Sequence, residues 1–409
     1  MFGGAANLWD CIPSKTMIAT GGAMSFSRRL GGMGLAQATP EIDIEGLTSR
    51  VRGIQHELND DIQQLLRSQG VTMINGTARF TSGSTAEATG PDGVRTIEFD
   101  TALISTGSRP RIPEWCDPDG DRILTTRDCY PPKVFPDSIT VIGSGVTGVE
   151  FVHMFSSFGA EVTLVVSRQH VLPGKDPEVA GVLEDDFVER GVKLLKGARA
   201  VAIDRDDNGD VIVRCDDGRT VRSTHAVLAI GSVPNTDGIG LDAAGVVVDR
   251  WGHIPIDDHC RTNQGHIYAA GDAAEFEGTV YGIIPAAIEQ ARVAAANMVR
   301  EEAARYHGTL PSTTLKIGEA EVTSLGECTV DSADTIALRF IDLPAHRYRK
   351  LVLRDKLPVG AILLNYHDQL QPVTQLIQRH ITIPGDTDRF LTEEIDWSNL
   401  LPSSSSRPS

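Results

Sequence analysis

Apolar residues at Leu47, Val51, Ile54, Leu58, Ile62, Leu65 and Leu66 recur at helical spacing, which predicts a long amphipathic helix over residues 46–69. Upstream, a glycine- and alanine-rich loop runs into a helix that starts near Cys11. Short alternating segments at 71–80, 85–90 and 96–106 read as strands, with Pro91-Asp92-Gly93 as a turn between two of them. Residues 138–143 form an apolar strand, 149–159 a helix ended by Gly159, and 161–166 the next strand. That order is a βαβ unit. A helix at 177–190 and strands at 199–204, 210–215 and 225–231 make a second α/β unit. The chain returns to strand around 265–272, then enters a long alanine-rich helix over 284–306. From about residue 312 the pattern turns to β, with strands at 313–318, 321–327, 335–340, 349–355 and 358–364. The serine-rich end, 399–409, reads as a disordered tail, and there is no tandem repeat.

Composition narrows the picture. The 409 residues are enough for two or three domains, and 41% hydrophobic with 23% charged residues is the balance of a soluble globular chain. Lys plus Arg number 38 against 55 Asp plus Glu, a net charge of −17, which argues against nucleic acid or an anionic membrane as the main partner. No apolar run approaches the ~20 residues of a membrane-spanning helix. The N-terminus has no basic segment followed by an apolar one, so no secretory signal is expected. Six cysteines over this length make no disulfide framework and show no metal-ligand spacing, so a reducing, cytoplasmic setting is expected.

The strongest chemical signal is Gly143-Ser144-Gly145-Val146-Thr147-Gly148, lying between a predicted strand and a predicted helix. The first glycine permits a tight turn, the second lets the backbone approach a pyrophosphate, and the third packs helix on strand. Amides at the helix start, Val146 and Thr147, then face the phosphates. At the end of the following strand an acid would hold the adenosine ribose and reject a 2′-phosphate. Ser167 and Arg168 stand there instead. Either Arg168 accepts a 2′-phosphate, which would favour NADPH, or it is an ordinary exposed arginine. A second constellation is Gly271-Asp272 at a strand end, where an acid can bond a sugar-like polyol. It gains specificity from TALISTGSRP, with Thr106 and Gly107, and from HAVLAIGSVPNT, with Gly231.

In this order the stretches resemble the pyridine nucleotide–disulfide oxidoreductase family, nearest its lipoamide dehydrogenase-like branch, over residues 3 to about 300. The resemblance implies an α/β fold with two Rossmann-like domains. An FAD-binding part at 1–118 and 256–308 would enclose an NAD(P)-binding domain at 119–255, and a C-terminal α+β domain would follow at 309–398. The implied cofactors are FAD and NAD(P)H. The family's first strand–GxGxxG–helix unit, which cradles FAD pyrophosphate, is not found before Gly3-Gly4, so the first βα unit is expected to be missing. Where the family has two redox cysteines separated by four residues, this chain has Ala6 and Cys11, followed by Ile-Pro-Ser-Lys15. A single cysteine cannot form the internal disulfide relay. Cys11 then either touches the flavin or fills space.

By the same resemblance Lys15 pairs with Glu150 beside flavin N5, as a buried lysine that needs a carboxylate, unless the two are a surface pair. The helix starting at Pro285-Ala286 would point its N-terminus at the flavin pyrimidine ring. A subset of lipoamide dehydrogenase-like flavoproteins also lacks the first cysteine and is similar through VTLVVSRQHVLPGKD and GSVPNTDGIGLDAAGV. These are NAD(P)H:quinone or dye reductases. The family's C-terminal His-Pro-Thr…Glu element is absent, and His380 reads as a surface residue. From about 265–285 onward, YGIIPAAIEQARVAAANM and YRKLVLRDKLPVGAILLN are similar to rubredoxin-reductase-like flavoproteins and the reductase part of nitrite reductases. The family is usually dimeric through its C-terminal domain, so a homodimer is implied, through a region whose resemblance changes here.

The expected function is an FAD-dependent NAD(P)H oxidoreductase that hands electrons to a small quinone-like or dye acceptor. A non-catalytic nucleotide-binding or redox-sensing module is one alternative. A flavin-linked reductase of a small iron–sulfur or rubredoxin partner is another.

Overall fold

The structure, a computed structural model, describes residues 2–36, 40–317, 320–330, 334–342 and 344–383, together with Ile395 and Leu400. Apart from Leu400, the tail expected at 399–409 lies outside them. A π-helical turn at Ala5–Trp9 leads into helix α1 (Cys11–Arg29). Helix α2 (Ile44–Ser68) follows, its first turn capped by Asp43 accepting from the Gly46 amide at 2.9 Å. Leu47 and Val51 of its apolar stripe are buried, whereas Leu65 falls off the stripe into solvent. An antiparallel sheet then forms from β1 (Thr77–Ser82), β2 (Thr85–Gly90) and β3 (Gly93–Glu98), with Pro91 and Asp92 in the β2–β3 turn. Pairing starts at Thr77 rather than at Val71. The preceding backbone crosses the sheet so closely that a Cβ on Gly76 would meet the Thr89 carbonyl.

After β4 (Ala102–Ile104) and β5 (Ser108–Pro110) the chain enters a parallel α/β domain. Its strands are β6 (Ile123–Thr125), β7 (Ser138–Ile142), β8 (Glu161–Val166) and β9 (Lys193–Lys196), with α3 (Val146–Phe158) and α4 (Pro177–Glu189) between them. An antiparallel trio, β10 (Ala200–Arg205), β11 (Val211–Cys215) and β12 (Thr220–Ser223), precedes β13 (His225–Leu228). The five parallel strands run in the order β6-β13-β7-β8-β9. Successive strands β7, β8 and β9 step one way, and β13 lies on the other side of β7. The strand order therefore reverses beside the C-terminal end of β7, the place where such sheets open a ligand crevice. Phe151, Phe155, Phe187 and Leu164 fill the core beneath it.

The chain returns through β14 (Ser232–Pro234), paired with β5, and β15 (Ile254–Ile256). It continues through β16 (Ile267–Ala269), parallel to β4, and β17 (Ala274–Phe276), parallel to β15. Leu241, Val246 and Ile254 pack with Ile104, Ile267, Tyr268 and Phe276 in a second core. Helix α5 (Ile284–Val299) stops before the predicted residue 306. Arg300 leaves helical dihedrals, and Tyr306 is anchored elsewhere by its amide to the Asp258 carbonyl and by its ring against Phe276.

The C-terminal domain is an antiparallel sheet of β18 (Ser312–Ile317), β19 (Ala320–Gly326), β20 (Thr335–Asp342), β21 (Arg347–Arg354) and β22 (Leu357–Leu364) in the order β18-β19-β22-β21-β20. Both faces of its central strands are buried, and β22 reads as an apolar run, while β19 and β21 also bury Thr323, Ser324, Arg349 and Lys350. Leu325, Leu351, Leu353 and Ala361 face helix α6 (Leu370–Gln378), a helix not predicted from the sequence pattern. Val322, Tyr348, Ile362 and Leu364 point the other way, into the core of the parallel α/β domain. A buried ion pair, Lys350 to Asp176 at the start of α4, ties the two together.

Candidate active site

Helices α1 and α3 bring two distant parts of the chain together. Ser25 donates to the Ser157 hydroxyl at 3.1 Å, and Gly21 lies so close that a Cβ there would sit 3.3 Å from the Ser157 side chain. Nearer both N-termini, Lys15 of α1 pairs with Glu150 of α3. The contacts come in the same order along both helices, so the helices run parallel and their N-termini lie side by side. The pair differs from the expected buried lysine: Lys15 is 57% exposed, and the 15%-exposed Glu150 is its buried half. A long lysine stem lets the ammonium reach solvent while the short glutamate stays in the packed face of α3.

The glycine turn at 143–148 sits at the switch point beside β7. Gly143 has φ +109°, and a Cβ on it would meet the Ala229 carbonyl. A Cβ on Gly148 would meet the Gly143 carbonyl. Around Gly145, by contrast, nothing lies within 4 Å of an added Cβ. Gly145 is also the cap of α3 and offers no side chain to its amides, so the N–H groups at Val146 and the exposed Thr147 remain open. Two glycines are thus fixed by packing, and the middle one leaves space for a ligand. Ser167 and Arg168 are exposed just past β8, and among the described residues the Arg168 guanidinium has no hydrogen-bonded or ionic partner. Gly231, with φ +91°, follows β13 on the same sheet edge, its carbonyl accepting from the Arg111 amide at 2.9 Å. These residues and chemistry fit a dinucleotide.

A second edge lies where β4 and β16 run parallel. Thr106 and Gly107 (φ +70°) leave β4, and Gly271 (φ +76°) and Asp272 leave β16 beside them. Ser108 donates to the Asp272 carboxylate at 2.8 Å, and the Gly271 amide donates to the buried Gln290 side chain of α5 at 2.8 Å. The start of α5 carries Pro285 and no side-chain cap, with Ala286 buried behind it. An acceptor carboxylate, two left-handed glycines and an uncapped helix start fit the flavin and polyol half of FAD.

Electrostatics join the two edges. The Cys11 thiol is pushed up, first by burial and next by the Asp10 carboxylate, with Asp272 and Glu150 adding to it and Lys15 opposing. The charges of Asp10, Asp272 and Glu150 thus act on Cys11 with that of Lys15 opposing, and the thiol is held in its protonated form. Cys11 and the five other cysteines are all free.

Several residues of this pocket were not legible in the sequence. Arg127 donates to the Ser108 carbonyl at 2.6 Å, lies 3.6 Å from the Asp10 carboxylate and sits 5.8 Å from the centre of the Trp9 ring. It belongs to a short 3-10 turn at Thr126–Asp128, where the Thr125–Asp128 capping box marks the turn but not the arginine inside it. Ser108, directly after Thr106-Gly107, and Asp10, directly before Cys11, could have been found by their neighbours. His380 is exposed at the end of α6. No helix among the described residues is long and apolar enough to cross a membrane.

Comparison with known proteins agrees with this geometry. The profile of the pyridine nucleotide-disulphide oxidoreductase family matches residues 2–297, and that of the rubredoxin NAD+ reductase C-terminal domain matches 311–381. An NAD(P)H dehydrogenase (quinone) of Mycobacterium tuberculosis is 38% identical over 355 residues, which span 84% of this chain and 70% of that protein. Dihydrolipoyl dehydrogenase 2 of Haloarcula marismortui is 30% identical over 338 residues, 81% of this chain and 71% of its own. Among solved structures, LpdA of M. tuberculosis superposes with a TM-score of 0.81 at 32% identity, over 98% of this chain and 90% of LpdA. The flavoprotein disulfide reductase RclA of Escherichia coli shares the fold, with a TM-score of 0.76 at 20% identity over 93% of this chain and 86% of its own.

Proposed function

The chain belongs to the pyridine nucleotide–disulphide oxidoreductase family, whose members are FAD-dependent oxidoreductases using NAD(P)H, and we propose that this one reduces a small quinone-like acceptor without a dithiol relay. The observation that carries the proposal is the Lys15–Glu150 pair, which joins the helix that starts at Cys11 to the helix that follows the glycine turn, with the Cys11 thiol pushed up by burial. Bound FAD supplies a two-electron carrier that takes hydride from nicotinamide and releases electrons to an oxidised acceptor. The chain's own residues prepare the places for that chemistry. The open amides at Val146 and Thr147 receive the dinucleotide pyrophosphate, and the unpartnered Arg168 is available to a 2′-phosphate. Asp272 accepts from polyol hydroxyls, and the uncapped start of α5 favours negative charge beside it. Lys15, oriented by Glu150, brings a cation to where electron density accumulates.

The test is acceptor-dependent oxidation of NADPH by protein loaded with FAD, before and after treatment with a thiol-alkylating reagent. Benzoquinone reduction that survives alkylation is the expected result. NADPH binding with no acceptor-dependent oxidation would favour a nucleotide-binding module instead. A second reading, reduction of a rubredoxin-like carrier, is favoured by the match over residues 311–381. It requires turnover with that carrier to exceed turnover with benzoquinone.

A further inference from the structure

The segment between β8 and α4 opens with an arch whose two feet stand on the glycine turn. The Gly143 amide donates to the Val165 carbonyl at 3.2 Å, and the Leu172 amide donates to the Ser144 carbonyl at 2.7 Å. Between those feet Ser167, Arg168, Gln169 and His170 are exposed, and the Arg168 carbonyl accepts from the Gly197 amide at 3.1 Å. Leu172 ends the arch at φ +50°, a left-handed backbone that a leucine keeps only where its surroundings hold it. Glu184 of α4 holds it from below. One of its carboxylate oxygens accepts from the Val171 amide at 2.9 Å and the other from the Lys196 ammonium at 2.7 Å, with the His170 ring 3.6 Å from the first. Glu184 is only 8% exposed, and α4 is fixed around it by the fully buried Leu183 and Phe187 and by Asp176, which holds Lys350. A helix with that much packing of its own has no need of a buried carboxylate, which is costly to desolvate. An irregular segment does, because its amides find no helix or strand partner.

Resting on the reading of Arg168 as the contact to a 2′-phosphate, we infer that Glu184 is a positioning residue for coenzyme selectivity. A dinucleotide seated on the glycine turn brings its adenosine ribose to the end of the following strand, which is where the arch rises. Glu184 fixes the backbone from which Arg168 extends, three residues before the bond to Val171, and touches no coenzyme itself. An arch held in place beforehand loses less freedom when Arg168 engages its phosphate. That gain goes to the coenzyme carrying the 2′-phosphate, since NADH offers Arg168 no such group. Lys196 balances the buried charge and is 34% exposed, so it can turn to water when the carboxylate is removed.

The experiment is a double-mutant cycle read by calorimetry, with NADP+ and NAD+ titrated into FAD-loaded protein. Glu184→Met keeps the volume and removes both acceptor oxygens. It is expected to lower the affinity ratio of NADP+ to NAD+ about threefold, inside the about fivefold ceiling set by Arg168→Ala. Glu184→Gln, which keeps one acceptor oxygen, should recover part of the loss. In the Arg168→Ala background Glu184→Met should change the ratio no further, because the residue acts through Arg168. An unchanged ratio in Glu184→Met, an equal weakening of both coenzymes, or a loss that adds to that of Arg168→Ala overturns the positioning role alone. A ratio that Arg168→Ala leaves at the wild-type value overturns the 2′-phosphate reading, and the role of Glu184 with it. Urea midpoints show whether each variant is folded. Should Glu184→Met not fold, Glu184→Gln carries the same cycle, and a loss confined to NADP+ and absent in the Arg168→Ala background remains the required result.

Discussion

The glycine turn at 143–148 and the pocket around Lys15 and Asp272 are built by opposite means. The turn is backbone geometry locked by the core, since Gly143 and Gly148 are pinned by the carbonyls they face and α3 is packed on a five-stranded sheet. The other region is side-chain chemistry drawn from four separated segments, through the pairs Lys15 with Glu150 and Ser108 with Asp272. Substitutions in the turn should therefore trade on fold or ligand access, and substitutions in the pocket on rate. The difference is sharpest inside the turn itself, where one glycine is structural and its neighbour two positions away from the first is open.

The largest expected effect is from Gly148→Ala. The added methyl runs into the Gly143 carbonyl, a backbone atom that cannot step aside, so a loss of about 3 kcal/mol or more is expected in urea unfolding. A midpoint equal to wild type would remove the idea of a packing-locked turn. Acid should next separate the two regions. His153 of α3 is 3% exposed, and burial, reinforced by Arg190, lowers its pKa from 6.5 to about 4. The unfolded chain binds that proton and the folded chain does not, so stability is full above pH ~6.5 and falls as pH drops toward 4. The fall from this residue is worth roughly 3 kcal/mol, and His225, lowered to about 4 chiefly by its own burial, adds to it. Urea midpoints at pH 7.5 and 4.5 measure it, and His153→Gln should flatten the difference.

At the Lys15–Glu150 pair, Lys15→Met should cost turnover about 100-fold while changing stability by under ~1 kcal/mol, because the lysine side chain is more than half exposed. An equal loss in both would mean that the pair serves the α1–α3 packing rather than the chemistry. Gly145→Ala should leave the melting temperature unchanged, given open space and φ −71°, yet weaken NADPH binding about tenfold in calorimetry. Smallest is Arg168→Ala, which should lower preference for NADPH over NADH by about fivefold, or roughly 1 kcal/mol, as an exposed contact would. No change in that ratio would return Arg168 to the ordinary surface.

How much of this was legible follows the same division. The βαβ pattern and its glycines could be read because backbone geometry restricts residue type at fixed spacing, and β22 of the C-terminal sheet showed as an apolar run. Asp272 stood out as an acid at a strand end, whereas Lys15 and Glu150 were reached only through resemblance, because nothing in local pattern says that α1 will lie along α3. Arg127 was not reached at all, since an arginine in a three-residue turn carries no signal until the fold sets it beside Ser108 and Trp9. The end of α5 was misplaced because the alanine-rich pattern continues past Val299, and a tertiary anchor at Tyr306 overrides it.

The central claim is direct transfer from NAD(P)H to a small acceptor through one flavin, with no thiol partner for Cys11. Its most direct test is anaerobic: FAD-loaded protein is mixed with NADPH, the flavin absorbance is followed, and benzoquinone is then added. The account predicts bleaching by NADPH and full return of colour on quinone, unchanged after thiol alkylation. Absorbance that NADPH leaves untouched, or that returns only when a dithiol–disulfide couple is supplied, would contradict it.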